Sequence, residues 1–366
     1  GSAGERQAGR PGERQAGPRG SARRDGRGSA RRIGWEEAAV VRVLGRGDIE
    51  RLVGMTDAIA AVREAFAAAD QGRAVTPAPF ELHLPDFDGE LHVKGAYLAG
   101  APVFAVKTAT GFYRNAGLGL PVSDGMTIVH DAETGRLQTL ILDGGLLTEL
   151  RTAAAGALAA DLLARPDART AAVIGTGGQA RFQLRALLTV RQIEQVVVWG
   201  RRQEAAEQYR RDMAAVGVPV SLAATARQAA EGADVVITAT SSTQPLVEAG
   251  WLARGAHVTA VGADMPHKQE LDPQVLAAAD KYVPDSIEAA AASGELHHAI
   301  EAGALDAGEV YAELTALASG RLPGRTGDDE LTVADLTGLG VQDAAVAALA
   351  ARLAEEHGTG QDLGEW

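Results

Sequence analysis

The chain has 366 residues, 46% of them hydrophobic, no cysteine, and a formal net charge of −13. That length suits about two domains with sizeable cores, and the missing thiols exclude disulfides, thiolate nucleophiles and zinc–thiolate sites. No apolar run reaches the roughly 18 residues that cross a membrane, no secretory leader is visible, and the acidic surplus disfavours nucleic acid, so the expectation is a soluble, cytoplasmic protein without membrane or nucleic-acid partners.

Residues 1–34 stand apart. They hold nine arginines against Glu5, Glu13 and Asp25, and they repeat GERQAG and GSARR. With almost no large apolar side chain the segment cannot bury a core, and it reads as a disordered basic leader. Order is expected from Trp35. Residues 40–44 read as a strand. Thr56 reads as the cap of a helix over 56–71, with Ile59, Val62 and Phe66 on one face and Gly72 as the stop. Strands follow at 80–84, 90–94 and 103–109, then a hairpin of 126–130 and 137–142 that turns at Glu133-Thr134-Gly135. Short connections between successive strands indicate an antiparallel or mixed sheet. An Ala-rich helix over 146–164, with Thr148 as its expected cap, leads out of this region.

The pattern then alternates. Strands are expected at 171–174, 195–199, 219–222, 234–238, 257–261 and 281–283. Helices fill 181–188, 204–216 and 225–230, the last capped by Thr225. This is the pattern of a doubly wound parallel sheet of about six strands. Residues 331–334 read as one more strand. Residues 341–356 read as an apolar-faced helix expected to return to the first region.

The first strand of the alternating part runs into Gly175-Thr176-Gly177-Gly178-Gln179-Ala180. Strand, glycine turn and helix are the context of a dinucleotide-binding turn. Gly175 permits the tight turn, Gly177 lets backbone approach a pyrophosphate, and Ala180 lets helix and strand pack closely. The helix N-terminus offers unpaired N–H groups to the phosphates. The expected fold is therefore α/β: a Rossmann domain over 151–329 beside an α+β substrate and dimerisation domain over 35–150, completed by 330–366. The second strand ends in Gly200-Arg201-Arg202, with no acid to take a ribose 2′-hydroxyl and two guanidiniums that suit a phosphate. NADP(H) is expected over NAD(H).

Other candidates are single residues. Asp264 follows the fifth strand directly, where parallel sheets bind ligands, and reads either as an acid/base tuned by burial or as a turn aspartate. Lys94 and Lys107 lie in apolar strands and either face solvent or enter a site. Arg151 reads as a cation in the first turn of its helix, which a bound anion would explain. His297-His298 read as structural, since adjacent histidines point apart, and no metal site is expected.

Several segments together resemble the ornithine cyclodeaminase/mu-crystallin family. They are Val106-Lys107 with Asn115, Gly119-Leu120-Pro121, Leu147-Thr148 with Arg151-Thr152-Ala153-Ala154, and the glycine turn. To these are added Val236-Ile237-Thr238-Ala239-Thr240, and Ala260-Val261-Gly262-Ala263-Asp264 with Lys268-Gln269-Glu270-Leu271. The likeness runs in order from about residue 40 to 355, and residues 117–160 look most like the ectoine-utilisation branch. It implies a Rossmann domain, a substrate domain whose sheet makes a homodimer contact, and a small amino-acid or imino-acid substrate. It assigns Asp264 as catalytic aspartate, and Lys107 and Arg151 as holders of the amino-acid group. Gly175, Thr176, Gly177, Gly178, Gln179, Ala180, Thr240, Val261 and Gly262 fall to the cofactor. The sequence departs from the family pattern at residues 76–81, which lack an arginine carboxylate anchor; at Lys94, where an apolar residue is common and which could compensate; and at His267, where glycine is usual.

The resemblance implies first a cyclodeaminase acting on a basic amino acid such as ornithine, with hydride abstraction, loss of ammonia, cyclisation and hydride return. An NADPH-dependent reductase of ketimines or cyclic imino acids uses the same residues. A non-catalytic NADPH-binding protein is the third expectation.

Overall fold

The computed structural model describes residue 1 and residues 40–364. The basic leader of the sequence reading falls almost wholly on residues 2–39, outside the described residues. From residue 40 the chain builds β1 (Arg42–Gly45), α1 (Arg46–Leu52), α2 (Met55–Asp70), β2 (Ala74–Val75), β3 (Phe80–Leu84), β4 (Gly89–Leu98), β5 (Val103–Phe112), β6 (Ser123–Asp131), β7 (Leu137–Leu142) and α3 (Leu146–Leu163). It continues with β8 (Thr170–Ile174), α4 (Gly178–Val190), β9 (Gln195–Trp199), α5 (Gln203–Asp212), β10 (Val220–Leu222), α6 (Ala226–Ala230), β11 (Val235–Thr238), β12 (Thr243–Val247) and β13 (His257–Ala260). The rest is β14 (Gln269–Leu271), α7 (Pro273–Ala277), β15 (Lys281–Pro284), α8 (Ile287–Ser293), α9 (Glu295–Glu301), α10 (Leu314–Ala318), β16 (Thr332–Asp335), α11 (Gly340–His357) and β17 (Gln361–Asp362).

The first sheet runs β17-β1-β7-β6-β5-β4-β2, with β3 also on β4. Every pair is antiparallel except β1 with β7. Helix α2 buries Ile59, Val62, Ala65 and Phe66, the i, i+3, i+6, i+7 face that the 3.6-residue period supplies. It packs on α3 and α11, and α11 lies across β4 and β5. That placement brings the N-terminus of a late helix onto the two strands that carry Lys94 and Lys107.

The second sheet is wholly parallel, in the order β10-β9-β8-β11-β13-β16-β15. Strands β11, β13, β15 and β16 are short and entirely buried, as expected where both faces are covered. The chain leaves β8 in one direction through β9 and β10 and in the other through β11 and β13. The crevice at this reversal is where open α/β sheets bind ligands. There are seven strands, one more than the alternating pattern showed. β16 slots between β13 and β15 after an excursion that the sequence pattern does not place.

Two expected caps are wrong. Gly54, not Thr56, occupies the N-cap of α2, and Gly145 (φ 84°) occupies that of α3. The first turn of α3 is satisfied by Asp143, whose carboxylate accepts from Gly145 N at 3.0 Å and Leu147 N at 2.6 Å. Thr225 does cap α6, accepting from Gln228 N at 3.0 Å. No described helix is long and apolar enough to cross a membrane.

Inside the parallel sheet His257 is fully buried. Its Nδ1 meets Thr332 Oγ1 and its Nε2 meets Thr259 Oγ1, both at 2.9 Å. Burial, reinforced by Arg325 and Arg191, holds its pKa down to about 3. The folded ring stays neutral while the unfolded imidazole takes a proton below about pH 6.5. The unfolded state then binds more protons, so stability falls as pH drops from about 6.5 toward 3, by up to about 1.4 kcal/mol per pH unit. In urea unfolding, the stability gap between the parent and His257→Asn should be widest near pH 7.5 and narrow steadily toward pH 5. A gap independent of pH would show that the ring is not held neutral.

Candidate active site

The glycine turn joins three strand ends. Gly175 has φ 127°, and a Cβ there would run into the Ala239 carbonyl at the end of β11. Its N–H donates to Trp199 O at 2.9 Å, the last residue of β9. Thr176 lies over Gly200, where a Cβ would come within 2.5 Å of Thr176 Cγ2. Gly177 is the N-cap of α4, with no side-chain cap and open space around its Cα. Gly178 and Gln179 lie beside Glu149, which accepts from Gln179 Nε2 at 2.7 Å. Burial pushes the Glu149 carboxyl upward, against the pull of Arg151 and Arg46. Ala180 is fully buried under the helix. A cradle of glycines that side chains would fill, facing an uncapped helix N-terminus, fits the pyrophosphate of a dinucleotide. Arg201 and Arg202 stand exposed past the end of β9 and form no ion pair among the described residues.

The neighbouring loops are fastened by a residue that the sequence reading left without a role. Glu270, fully buried on β14, accepts from Thr238 Oγ1 (2.7 Å), Thr240 N (2.6 Å), Thr240 Oγ1 (2.8 Å) and Gly262 N (2.8 Å). Gly262 is required by this closeness, because a Cβ would overlap the Thr240 carbonyl and the Glu270 carboxylate. Val261 N donates to Thr238 O at 3.0 Å. One carboxylate thus sets the carboxyl ends of β11 and β13. The signal for it was an acid next to Leu271 in the short segment just after the glycine-aspartate loop.

On the first sheet, Lys94 and Lys107 sit directly opposite each other across β4 and β5. Lys107 Nζ is 3.1 Å from Asp343 Oδ1, and Arg151 Nε donates to the same oxygen at 2.9 Å. Arg151 also donates to Gln342 Oε1 at 2.9 Å. All four side chains are buried. Arg151 is the sixth residue of α3 rather than part of its first turn, so the anion beside it is Asp343 of α11 and not only a bound ligand. Lys94 Nζ donates to Gly338 O at 2.8 Å. Burial lowers Lys107 to about 8 in spite of Asp343. Burial, then Arg151, lowers Lys94. Burial opposes ionisation of Asp343, but Arg151, Lys107 and Lys94 outweigh it and hold its carboxyl below the usual range. Asp343 Oδ2 and Gln342 Nε2 are buried without a partner.

Asp264 is not buried, as its expected tuning required. Its side chain is 50% exposed, and Oδ1 is 2.7 Å from Lys268 Nζ. Lys268 donates to Tyr113 Oη at 3.2 Å, and Tyr113 donates to Glu90 Oε1 at 2.6 Å. His92 Nε2 lies 3.6 Å from the same oxygen. Burial would raise Glu90, but His92, Tyr113 and Lys268 bring it down to about 2. Burial and then Glu90 raise Tyr113 to about 12. The loop after β13 is therefore tied to β4.

His297 and His298 do not point apart as expected. Their rings stand 5.2 Å apart, and with Glu301 they present ligand atoms within 4.8 Å of one another. His298 Nε2 meets Lys268 O at 2.8 Å. The hollow lined by Arg254, Asp280 and Glu330 lies at the opposite, N-terminal ends of the parallel strands and holds none of these residues.

Known proteins resemble this chain in sequence and in fold. The sequence pattern of the ornithine cyclodeaminase/mu-crystallin family matches residues 40–357. An uncharacterized cyclodeaminase of Sinorhizobium fredii is 43% identical over 323 residues, covering 87% of this chain and 98% of the relative. A Thermococcus litoralis Δ1-pyrroline-2-carboxylate reductase, solved with NADH and L-proline, superposes with a TM-score of 0.85 at 31% identity, covering 88% of this chain and all of that one. An archaeal alanine dehydrogenase dimer with bound NAD gives 0.84 at 34% identity, covering 89% and 100%.

Replacing Glu270 by Gln turns an acceptor toward donors, since Thr238 Oγ1 and Gly262 N both point at Oε2. Glu270→Gln should lose about 1–3 kcal/mol of stability. It should also weaken nicotinamide-dinucleotide binding at least tenfold by calorimetry. Unchanged affinity would show that the loops hold their shape without it.

Proposed function

Because the chain belongs to the ornithine cyclodeaminase/mu-crystallin family, we propose that it is a nicotinamide-dependent enzyme that reduces an imino acid to an amino acid. When bound, the dinucleotide supplies the hydride that adds to the C=N carbon. Arg151 and Lys107 hold the α-carboxylate, the guanidinium through paired N–H groups and the lysine as a point charge. Asp343 fixes both cations so that they meet the substrate already oriented. Asp264 holds the proton at the substrate nitrogen, and Lys268, braced by Tyr113, holds Asp264 in place.

The observation that carries this reading is the charge pattern of the pocket. Three cations, Lys94, Lys107 and Arg151, stand here against one carboxylate, Asp343, which only Lys107 and Arg151 reach within ion-pair distance among the described residues, while Lys94 donates to Gly338 O. The other nearby acids, Glu90, Asp264 and Asp285, are engaged by Tyr113, by Lys268, and by Thr337 with the Gly338 N–H. A cyclodeaminase would in addition need an acceptor for the distal amine of a diamino acid. Cyclodeamination remains the second reading, favoured by the 43% identity to a relative called a cyclodeaminase. One incubation separates them: ammonia release without net NAD(P)H change means cyclodeamination, and NAD(P)H loss with an imine means reduction.

Two further features belong to this proposal. The relatives bind NAD or NADH, and here the exposed Arg201 and Arg202 favour a 2′-phosphate and thus NADP(H). Phe80, Leu82, Phe87 and Val75 are exposed large apolar side chains on and beside β2 and β3, the kind of surface that marks an interaction site where it is contiguous. A homodimer covers it.

Asp264→Asn should leave dinucleotide affinity intact and cut turnover by roughly 10²–10⁴-fold. Normal turnover would reduce Asp264 to a loop residue. Replacing Arg201 and Arg202 by Ala should weaken NADPH binding about tenfold or more and leave NADH binding within threefold, from charge-assisted bonds of about 1.5–3 kcal/mol. Gly200 is left alone in this variant because a side chain there would press on Thr176. Equal parent dissociation constants for NADH and NADPH would overturn the phosphate assignment.

A further inference from the structure

Lys94 is the one cation of the pocket with no carboxylate within ion-pair distance among the described residues. Lys107 and Arg151 share Asp343, whereas Lys94 has only the neutral carbonyl of Gly338. An ammonium has three donors, and the carbonyl takes one. Lys94 also faces Lys107 directly across an antiparallel pair, where like charges destabilise. Nothing in the fold explains keeping a largely buried ammonium opposite another cation. The carbonyl that it holds belongs to Gly338, and the Gly338 N–H is already fixed by Asp285 Oδ2 at 2.7 Å. The loop is therefore anchored without the lysine.

The surroundings give the sign of the missing partner. Along the same face of β4 stand Glu90, His92 and Lys94, alternate residues of one strand. Glu90 is taken by Tyr113, and His92 lies between Glu90 and Glu81, so neither acid approaches Lys94. Asp264 is paired with Lys268, and buried Asp285 is taken by the Thr337 hydroxyl and the Gly338 N–H. One α-carboxylate is matched by Lys107 and Arg151 together with Asp343. With that group bound, Lys94 still faces the substrate as an unpaired charge.

We propose that Lys94 binds a second carboxylate, on the substrate's side chain, so that the preferred substrates are dicarboxylic imino acids. This rests on the reductase reading and narrows it. In the reaction the C=N carbon gains the hydride of the reduced nicotinamide, the nitrogen gains a proton, and both carboxylates pass through unchanged. A diamino acid would instead bring a second positive charge toward Lys94 and Lys107.

The test uses the full chain and imines formed in place from ammonia with oxaloacetate, 2-oxoglutarate or pyruvate, following NAD(P)H oxidation. The parent should prefer a dicarboxylic imine over the pyruvate imine at least tenfold in kcat/KM. Lys94→Met should lower kcat/KM for the dicarboxylic imine by tenfold to a thousandfold, mostly through KM, and change it less than threefold for pyruvate. Lys94→Arg should restore most of the loss. Calorimetry should show L-aspartate binding the parent more tightly than L-alanine, with the difference lost in Lys94→Met. Equal losses for both imines would assign Lys94 to the α-carboxylate or to the loop and overturn the proposal. So would a parent that prefers pyruvate imine while oxidising NAD(P)H, which leaves the reductase reading standing. No oxidation with any imine would remove both.

Discussion

The carboxylate of Asp343, gripped on one oxygen by Arg151 and Lys107, is the interaction on which the pocket depends. It joins α11 to α3 and to β5, elements far apart in the chain. Two buried cations without it would repel each other in a medium that screens them poorly, and breaking such a cluster from one side costs about 3–5 kcal/mol. The backbone is shaped to allow the contact. Gly338 has φ 86°, and a Cβ there would strike Arg151 at 2.5 Å. Gly340 opens α11 against the Gly95 carbonyl, where a Cβ would come to 2.7 Å. The two glycines let the helix N-terminus descend onto the strands, and the charge then holds it there.

The cofactor side is built by the same device in a different chemistry. Glu270 gathers four donors from two loops, and its own backbone N–H donates to Glu295 at 2.8 Å. Glu295 N in turn donates to Asp335 at 2.9 Å, which also accepts from Tyr282 at 2.7 Å. These acids are fully or nearly buried and answered by N–H and O–H groups rather than by cations. Burial therefore raises all three, Asp335 to about 7. Their function is directional: each fixes a stretch of backbone at the carboxyl ends of the parallel strands.

What the sequence made legible follows from whether the cause is local. The glycine turn was readable because backbone sterics at Gly175 and the start of α4 are fixed within a few residues. Strand and helix alternation was readable for the same reason. The caps at Thr56 and Thr148 were misread because a hydroxyl is a local clue, while the true solution at α3 is a left-handed Gly145 with Asp143 two residues earlier. Asp343 was not legible at all. It lies 192 residues beyond Arg151, and an acid near a helix N-terminus looks like an ordinary answer to the helix dipole. Glu270 was visible as part of a motif, but its four bonds depend on loops that only the sheet brings together. The place of β16 between β13 and β15 is likewise a long-range fact that no periodicity encodes.

The two halves of the site divide the chemistry in a way that explains how relatives of one fold carry different activities. The hydride-bearing side is specified by glycines and a buried acid, features that any nicotinamide reaction can share. The substrate side is specified by a charge count, and a charge count changes with one residue. Asp264 lies between them, exposed, held by Lys268, which Tyr113 and Glu90 fasten to the first sheet. Its position therefore answers to the substrate-bearing strands although it is carried on the loop of the parallel sheet. In the proposed reduction a proton is delivered to the nitrogen of a substrate whose carboxylate the strands would hold. An aspartate positioned from that same side keeps the distance between anchor and proton fixed, whatever small motions separate the two sheets.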